Sequence, residues 1–397
     1  MEYTISNRMK DMKGSAIREI FKVAGDPSYI SLAGGNPAPE LFPSAELAVI
    51  AAELIEKQPV LALQYGVTEG YVPLREAVRA RLKRTENIGT DDDEVLIVTG
   101  GQQGIDLTTK CLINEGDTVI VEEPSFIGAL NAFRSFGAHL AGVAMDDQGM
   151  KPEALERVIA ENPNAKMIYT IPTFQNPMGV TMPMERRRAV YEIAKKHNLL
   201  ILEDNPYGEL TFDGTKVPTL KSIDTEGIVM YCGSFSKILS PGLRVGFLCG
   251  NRALIQKITI AKQTEDVHTP MLTQLLAYEF LQRHDIDALI LQMRALYRHK
   301  CKTMLDAVDA YFPKGVTHTN PNGGLFVWCD LGEGADSLAL SKIASARKVV
   351  YVPGATFMTD MSKPCSGLRM NYSTMPDERI TEGVRILGEV FTDALKK

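Results

Sequence analysis

The stretch that decides the fold is 228–250, IVMYCGSFSKILSPGLRVGFLCG. Two apolar runs, IVMYC (228–232) and RVGFLCG (244–250), flank a polar loop, SFSK (234–237), that ends at Lys237. Runs rich in β-branched and aromatic residues between turn signals read as buried strands. The same grammar repeats upstream in VLIVT (95–99), TVIVEE (118–123), KMIYTI (166–171) and LLILED (199–204). Helical patterns separate them, over about 102–113, 126–136 and from Pro183 to His197, with Pro183 suited to a first turn. Strands interleaved with helices imply an α/β fold built on a mostly parallel, seven-stranded-type sheet between helices. Ligands of such sheets sit beyond the carboxyl ends of the strands.

The rest of the chain frames that unit. After a nearly continuous helical reading over 251–311 come short strands (VTHT, GLFVWCDL, VVYVP, GLRMNYS), a helix near 336–346 and a last helix from about 376, which is an α+β pattern. Residues 1–45 are irregular and rich in Gly and Pro. The expected division is an N-terminal segment (1–45) lying on a smaller domain, a large domain (46–295) and a small C-terminal domain (296–397). The 397 residues are 23% charged and 45% hydrophobic, ordinary globular values that exclude disordered or low-complexity chains. Lys and Arg number 43 against 49 Asp and Glu, a formal charge of -6, which argues against a nucleic-acid surface. No apolar run spans a membrane, and MEYTISNRMK is no signal peptide, so a cytoplasmic location is expected. Six scattered cysteines and six scattered histidines form no metal-binding spacing, so no metal is expected, and the cysteines read as small buried hydrophobes.

The residues just past each strand carry the chemistry. Lys237 at a sheet edge can lose its proton on burial and attack an aldehyde. Ser234, Ser236 and the guanidinium of Arg244 can hold a phosphate. LLILED delivers Asp204, and the EDNPY turn delivers Tyr207: a carboxylate for a pyridine nitrogen and a phenol for a ring oxygen. IPTFQNPMG places Asn176 at another strand end. VLIVT runs into GGQQG (100–104), where Gly101 and Gln102 open a helix whose free N–H groups suit a phosphate. That loop is neither G-x-G-x-x-G nor a P-loop. Phe126, in EPSFIG, can stack on a flat ring. Taken singly, each of these residues has an ordinary structural reading. Together, phosphate cradle, ring stacker, ring-oxygen donor, ring-nitrogen acid and lysine nucleophile describe one ligand, pyridoxal 5′-phosphate.

With these motifs the chain resembles the class I/II aminotransferases of the fold-type-I pyridoxal-phosphate enzymes, most closely the branch of 2-aminoadipate and kynurenine aminotransferases. The likeness runs from MKGSAIREI and SLAGGNPAPELFP through ALQYGVTEGYVPLR, VTGGQQGIDL, QNPMG, EDNPYGEL, GSFSKILSPGLRVGF, AKQTEDVHTPM, NGGLFVWCDL and VPGATF to LRMNYS. The resemblance implies that Lys237 bonds the cofactor aldehyde, with Asp204, Tyr207, Asn176, Phe126, Gly101, Gln102, Ser234, Ser236 and Arg244 around the cofactor. It also implies a homodimer in which Tyr65 reaches the neighbouring subunit's phosphate. Asn176 and Arg369 would meet the substrate, Arg369 at its α-carboxylate, with Arg18 and Gly35 at the side chain. Gly101 stands where the family often has Ser, and Phe126 where it often has Tyr. The expected reaction is transfer of an amino group between an L-amino acid (2-aminoadipate, aromatic, branched-chain or a broad range) and a 2-oxo acid, with 2-oxoglutarate and glutamate as one pair. Another pyridoxal-phosphate reaction on this fold, such as a lyase or decarboxylase, or a non-catalytic regulator, is the alternative.

Overall fold

Successive residues of a strand point to opposite faces, and here both faces are apolar. Val119, Val121, Met167, Tyr169, Leu202 and Met230 pack into one core, while their neighbours Ile120, Ile168, Ile201 and Val229 pack into a second on the other side. Each such side chain, fully buried, contributes roughly 1.5–3 kcal/mol. The computed structural model describes residues 3–10 and 26–395. Its strands are β1 (Ile30–Ser31), β2 (Asp93–Val98), β3 (Thr118–Glu123), β4 (His139–Asp146), β5 (Gly149–Met150), β6 (Ala165–Thr170), β7 (Leu200–Asp204), β8 (Val229–Ser234) and β9 (Gly246–Asn251), followed by β10 (Thr317–His318), β11 (Phe326–Asp330), β12 (Val349–Val350), β13 (Val352–Pro353) and β14 (Gly367–Asn371).

The 8-stranded sheet has the order β2-β9-β8-β7-β6-β3-β4-β5. Strands β8, β7, β6, β3 and β4 are parallel to one another. Strand β9 is antiparallel to both of its neighbours, so β2 runs with the parallel set. The two-residue β5 is antiparallel to β4 and completes the edge. The carboxyl ends of β2, β3, β6, β7 and β8 therefore meet on one side of the sheet. The sequence reading had no strand over 139–146. HLAGVAMD is poor in large β-branched residues, and only Ala141 and Val143 of β4 are buried, so the apolar signal is thin.

The helical reading of 251–311 resolves into Arg252–Gln263, Met271–Arg283 and Ile286–Tyr311. The first break falls at TEDVHTP, where Val267 takes a positive φ of 65° and Pro270 opens the next helix. The second falls at Asp285, whose side chain accepts from the backbone N–H of Asp287 and Ala288. A 4-stranded antiparallel sheet, β10-β11-β14-β13, follows. Strand β1 pairs with β12, which ties the N-terminal segment to this later unit. Cys232, Cys249, Cys301 and Cys329 are buried free thiols. Among the described residues, no helix is long and apolar enough to cross a membrane.

The ends of β2 and β9 approach so closely that a Cβ built on Gly246 would lie 2.9 Å from the carbonyl carbon of Gly100 and 2.9 Å from the nitrogen of Gly101. Backbone cannot step aside as a side-chain tip can. Gly246→Ala is expected to cost roughly 1–3 kcal/mol, read as a lower urea midpoint with an unchanged slope.

Candidate active site

Five strand ends and two strands of the smaller sheet build a single cavity of about 440 Å³. Strand β2 leads through Thr99 to Gly100, which takes a φ of 78°, and the helix Gly101–Leu112 starts there with no side chain among the described residues capping it. Its first N–H groups are available to an anion, and the helix dipole favours one. Arg244 lies across this turn. A Cβ on Gly100 would come within 2.2 Å of its Nη2, so only glycine lets the guanidinium sit there. Arg244 donates to the carbonyls of Pro241 and Thr99, each at 3.3 Å. Past β8, Ser234 Oγ donates to Ser236 Oγ at 2.9 Å and accepts from the Ser236 N–H at 3.0 Å. Both hydroxyls, Arg244 and the helix start line the same end of the chain's cavity wall.

Lys237 follows in the same turn. Its Nζ donates to the carbonyl of Gly35 at 2.6 Å. Burial, then the positive charges of Arg369 and Arg244, push its ammonium down to about 8. Asp204 ends β7, where the Tyr169 hydroxyl donates to Oδ2 at 2.7 Å. Among the described residues, Oδ1 takes no protein donor. Burial raises this carboxyl to about 6, and the Tyr169 hydrogen bond limits the rise. Phe126 sits at the start of the helix Ile127–Ser135, just past β3, and lines the cavity. The Gln102 amide donates to the Gly128 carbonyl at 2.9 Å, which fastens that helix to the Gly101 turn.

Asn176 joins the two sheets. Its Nδ2 donates to the Tyr207 hydroxyl at 3.4 Å, and its Oδ1 accepts from Arg369 Nη1, on β14, at 2.8 Å. Arg369 Nη2 donates to the carbonyl of Ala33 at 2.7 Å, and its guanidinium lies 4.2 Å from the Phe326 ring centre. Among the described residues, its buried Nε has no partner. Burial lowers the Arg369 guanidinium to about 10, still protonated at neutral pH. Burial raises the Tyr207 phenol, which therefore stays neutral.

Of the residues singled out from the sequence, all but Tyr65 and Arg18 line this one cavity. Tyr65 is 82% exposed, on the outer surface beside Val60, Leu63 and Val67, with its ring edge-on to His268. Arg18 lies outside the described residues. Sequence reasoning missed Tyr169, a phenol placed in an apolar strand, and Glu122, an acid inside the apolar run TVIVEE. Glu122 is fully enclosed. It accepts from Thr170 Oγ1 at 2.5 Å, the Ile171 N–H at 3.2 Å and Gln175 Nε2 at 3.0 Å. Burial holds it up at about 7. A polar residue within a buried strand was the available signal for both.

A phosphorylated pyridine aldehyde fits these groups. The uncapped helix start, two hydroxyls and Arg244 suit the phosphate. The free Asp204 oxygen suits a protonated ring nitrogen, and the Phe126 ring suits the flat face. The family model described as aminotransferase class I and II matches residues 28–387. The chain is 40% identical to the 2-aminoadipate transaminase of Thermus thermophilus, over 97% of this chain and 95% of that protein. It is 38% identical to aromatic-amino-acid aminotransferase 1 of Thermococcus litoralis, over 100% of this chain and 96% of that one. The crystal structure of the Thermus thermophilus α-aminoadipate aminotransferase, complexed with N-(5′-phosphopyridoxyl)-L-leucine, superposes with a TM-score of 0.90 at 38% identity, covering 99% of this chain and 98% of that one. Matched along almost its whole length and carrying this cavity, the chain belongs to the class I and II aminotransferases and is a pyridoxal-phosphate-dependent transaminase that moves amino groups between amino acids and 2-oxo acids.

Proposed function

We propose that the cavity bounded by Lys237, Asp204, Asn176, Tyr207, Phe126, Arg244 and Arg369 is the transamination site, and that their convergence carries the assignment. Bound pyridoxal phosphate supplies an electron sink for the charge that develops at the substrate Cα. Gly101, Gln102, Ser234, Ser236 and Arg244 hold its phosphate. Phe126 stacks on the ring, Asp204 stays ionised against the ring nitrogen, and Asn176 and Tyr207 hydrogen-bond the ring oxygen. Arg369 takes the α-carboxylate, for which a planar guanidinium with a free Nε is suited. Lys237 moves the proton at Cα. With its ammonium at about 8, about one lysine in ten is already the free amine at pH 7.

The donor is an amino acid of the 2-aminoadipate, aromatic or branched-chain kind, or a range of these, with 2-oxoglutarate as acceptor. The relatives' names support this reading. Gly35 and Arg18 meet the substrate side chain. The working unit is a homodimer in which Tyr65 completes the neighbouring phosphate site. The apolar surface around it supports that reading, with Val60 76% and Leu63 66% exposed. The division at 45 and 295 is supported by β2 to β9 forming one sheet and β10, β11, β13 and β14 another, with 295 falling within the helix Ile286–Tyr311. The enzyme works in the cytoplasm.

The first experiment is an absorbance spectrum of the purified protein. A visible cofactor band that shifts with L-glutamate and returns with 2-oxoglutarate is expected; no band after adding the cofactor overturns the reading. Lys237→Ala should abolish turnover and the visible band, and activity at a comparable rate would refute its role. Arg369→Lys should raise the KM for the amino acid at least about ten-fold with cofactor content unchanged; an unaltered KM would count against the carboxylate contact.

Lys237 also makes a stability prediction. Its folded value, about 8, lies below the unfolded value, which is about 10.4. Between those two values the unfolded chain binds more protons, so stability rises with pH; below about 8 the full cost remains. In cofactor-free protein, Lys237→Met should therefore stabilise by on the order of 3 kcal/mol at pH 7, with the gain shrinking by pH 9.5. Urea unfolding at the two pH values measures it, and equal gains at both would refute the buried-ammonium account.

A further inference from the structure

Glu122 is a buried acid that takes no part in the chemistry above, and its three donors have something in common. Thr170, Ile171 and Gln175 all belong to the end of β6 and the loop that follows it, the loop that delivers Asn176. Gln175 is the centre of that loop. Its Nε2 is shared between Glu122 Oε2 at 3.0 Å and the Pro124 carbonyl at 2.9 Å, and its Oε1 accepts the Met178 N–H at 2.8 Å. Glu122 and Pro124 lie on the arm that leads from β3 to Phe126. One side chain thus fastens the arm carrying the ring stacker to the arm carrying Asn176. Asn176 in turn fixes Arg369 through the 2.8 Å bond to Nη1.

We propose that Glu122 is a positioning residue: through Gln175 it holds the Asn176 turn in register with the Phe126 arm and so aims the Arg369 guanidinium at the substrate carboxylate. Buried acceptors with several donors hold loops rigidly because each lost bond leaves an unpaired group. No substrate atom needs to touch Glu122 for its loss to be felt at Arg369. Glutamine preserves the arrangement. Its carbonyl oxygen accepts from Ile171 and Gln175, and its amide donates to the Thr170 hydroxyl, which can also accept. Alanine removes all three bonds to Glu122 but leaves the bond from Gln175 to the Pro124 carbonyl, whereas Gln175→Met removes both links between the arms and the acceptor of the Met178 N–H.

The inference rests on the proposed role of Arg369, and the test separates the two. The probe is 4-methylpentanoate, a carboxylate that lacks the amino group needed to react with the cofactor. Its affinity is measured by calorimetry. Glu122→Ala and Gln175→Met should each weaken it by roughly ten-fold, the double variant should lose clearly less than the product of the two single losses, and Glu122→Gln should keep it within about two-fold of the parent protein. For turnover, KM for the amino acid should rise more than kcat falls, and the pH midpoint of the visible band should move in Glu122→Ala and return in Glu122→Gln. Unchanged affinity in Gln175→Met, or effects of the two single variants that add, would overturn the coupling. If Glu122→Ala does not accumulate as folded protein, Gln175→Met and Glu122→Gln decide it by the same measurements. If Arg369→Lys leaves carboxylate affinity unchanged, the parent assignment fails instead.

Discussion

The cavity wall carries three cations, Lys237, Arg244 and Arg369, against one carboxylate, Asp204. That imbalance is the constraint on which the site depends. Burial pushes both Lys237 and Arg369 towards losing their protons, and for Lys237 the positive charges of Arg369 and Arg244 add to it. On the proposed roles, two anions would relieve the excess, a phosphate beside Arg244 and a carboxylate beside Arg369. The cations are separated among three elements, so each anion has its own place, and a phosphorylated cofactor and an amino acid are both required to balance the charge. Lys237 lies between them in function: it is the cation that can give up its charge at modest cost.

The fold meets this constraint through strand direction. Parallel strands β3, β6, β7 and β8 end on one side, so Phe126, Asn176, Asp204 and Lys237 arrive there without any long excursion of chain. The antiparallel β9 then returns Arg244 to the same edge, because its first residue lies opposite the last residue of β8. Arg369 comes from the other sheet. Its bonds to Asn176 and Ala33 tie β14 to β6 and to the N-terminal segment within one hydrogen-bonded group. A shift of the smaller sheet would break those bonds, so the place of the Arg369 guanidinium is set jointly by both sheets and the N-terminal segment.

Much of this was legible because strand ends are legible. A buried strand must be apolar, so the polar residues just after it are conspicuous, and Asp204, Ser234 and Lys237 gained roles because several such strand ends converged on one ligand's chemistry. The core sheet was readable for the same reason, and β4 was not, since its small and half-exposed residues carry little apolar signal. Glu122 and Tyr169 were hidden by the converse effect: a polar group inside an apolar run reads as noise until its partners are known, and those partners come from neighbouring strands. Tyr65 is a different case. Its 82% exposure in one chain is in keeping with the proposed role towards a neighbouring subunit, and nothing in composition or periodicity points to such a role.

The buried lysine also explains why such a site needs so large a frame. The environment that holds Lys237 at about 8 is one in which its ammonium is poorly solvated and faces two other cations. The same destabilisation that frees the amine for chemistry opposes folding of the empty protein, by on the order of 3 kcal/mol at neutral pH. That is a sizeable share of a typical net stability of about 5–15 kcal/mol. It is offset elsewhere, in the two apolar layers that cover the sheet. On the proposed roles, an anionic cofactor would remove much of that cost by setting its phosphate beside Arg244, so cofactor binding and folding would be coupled at Lys237, a side chain whose charge the empty fold tolerates poorly.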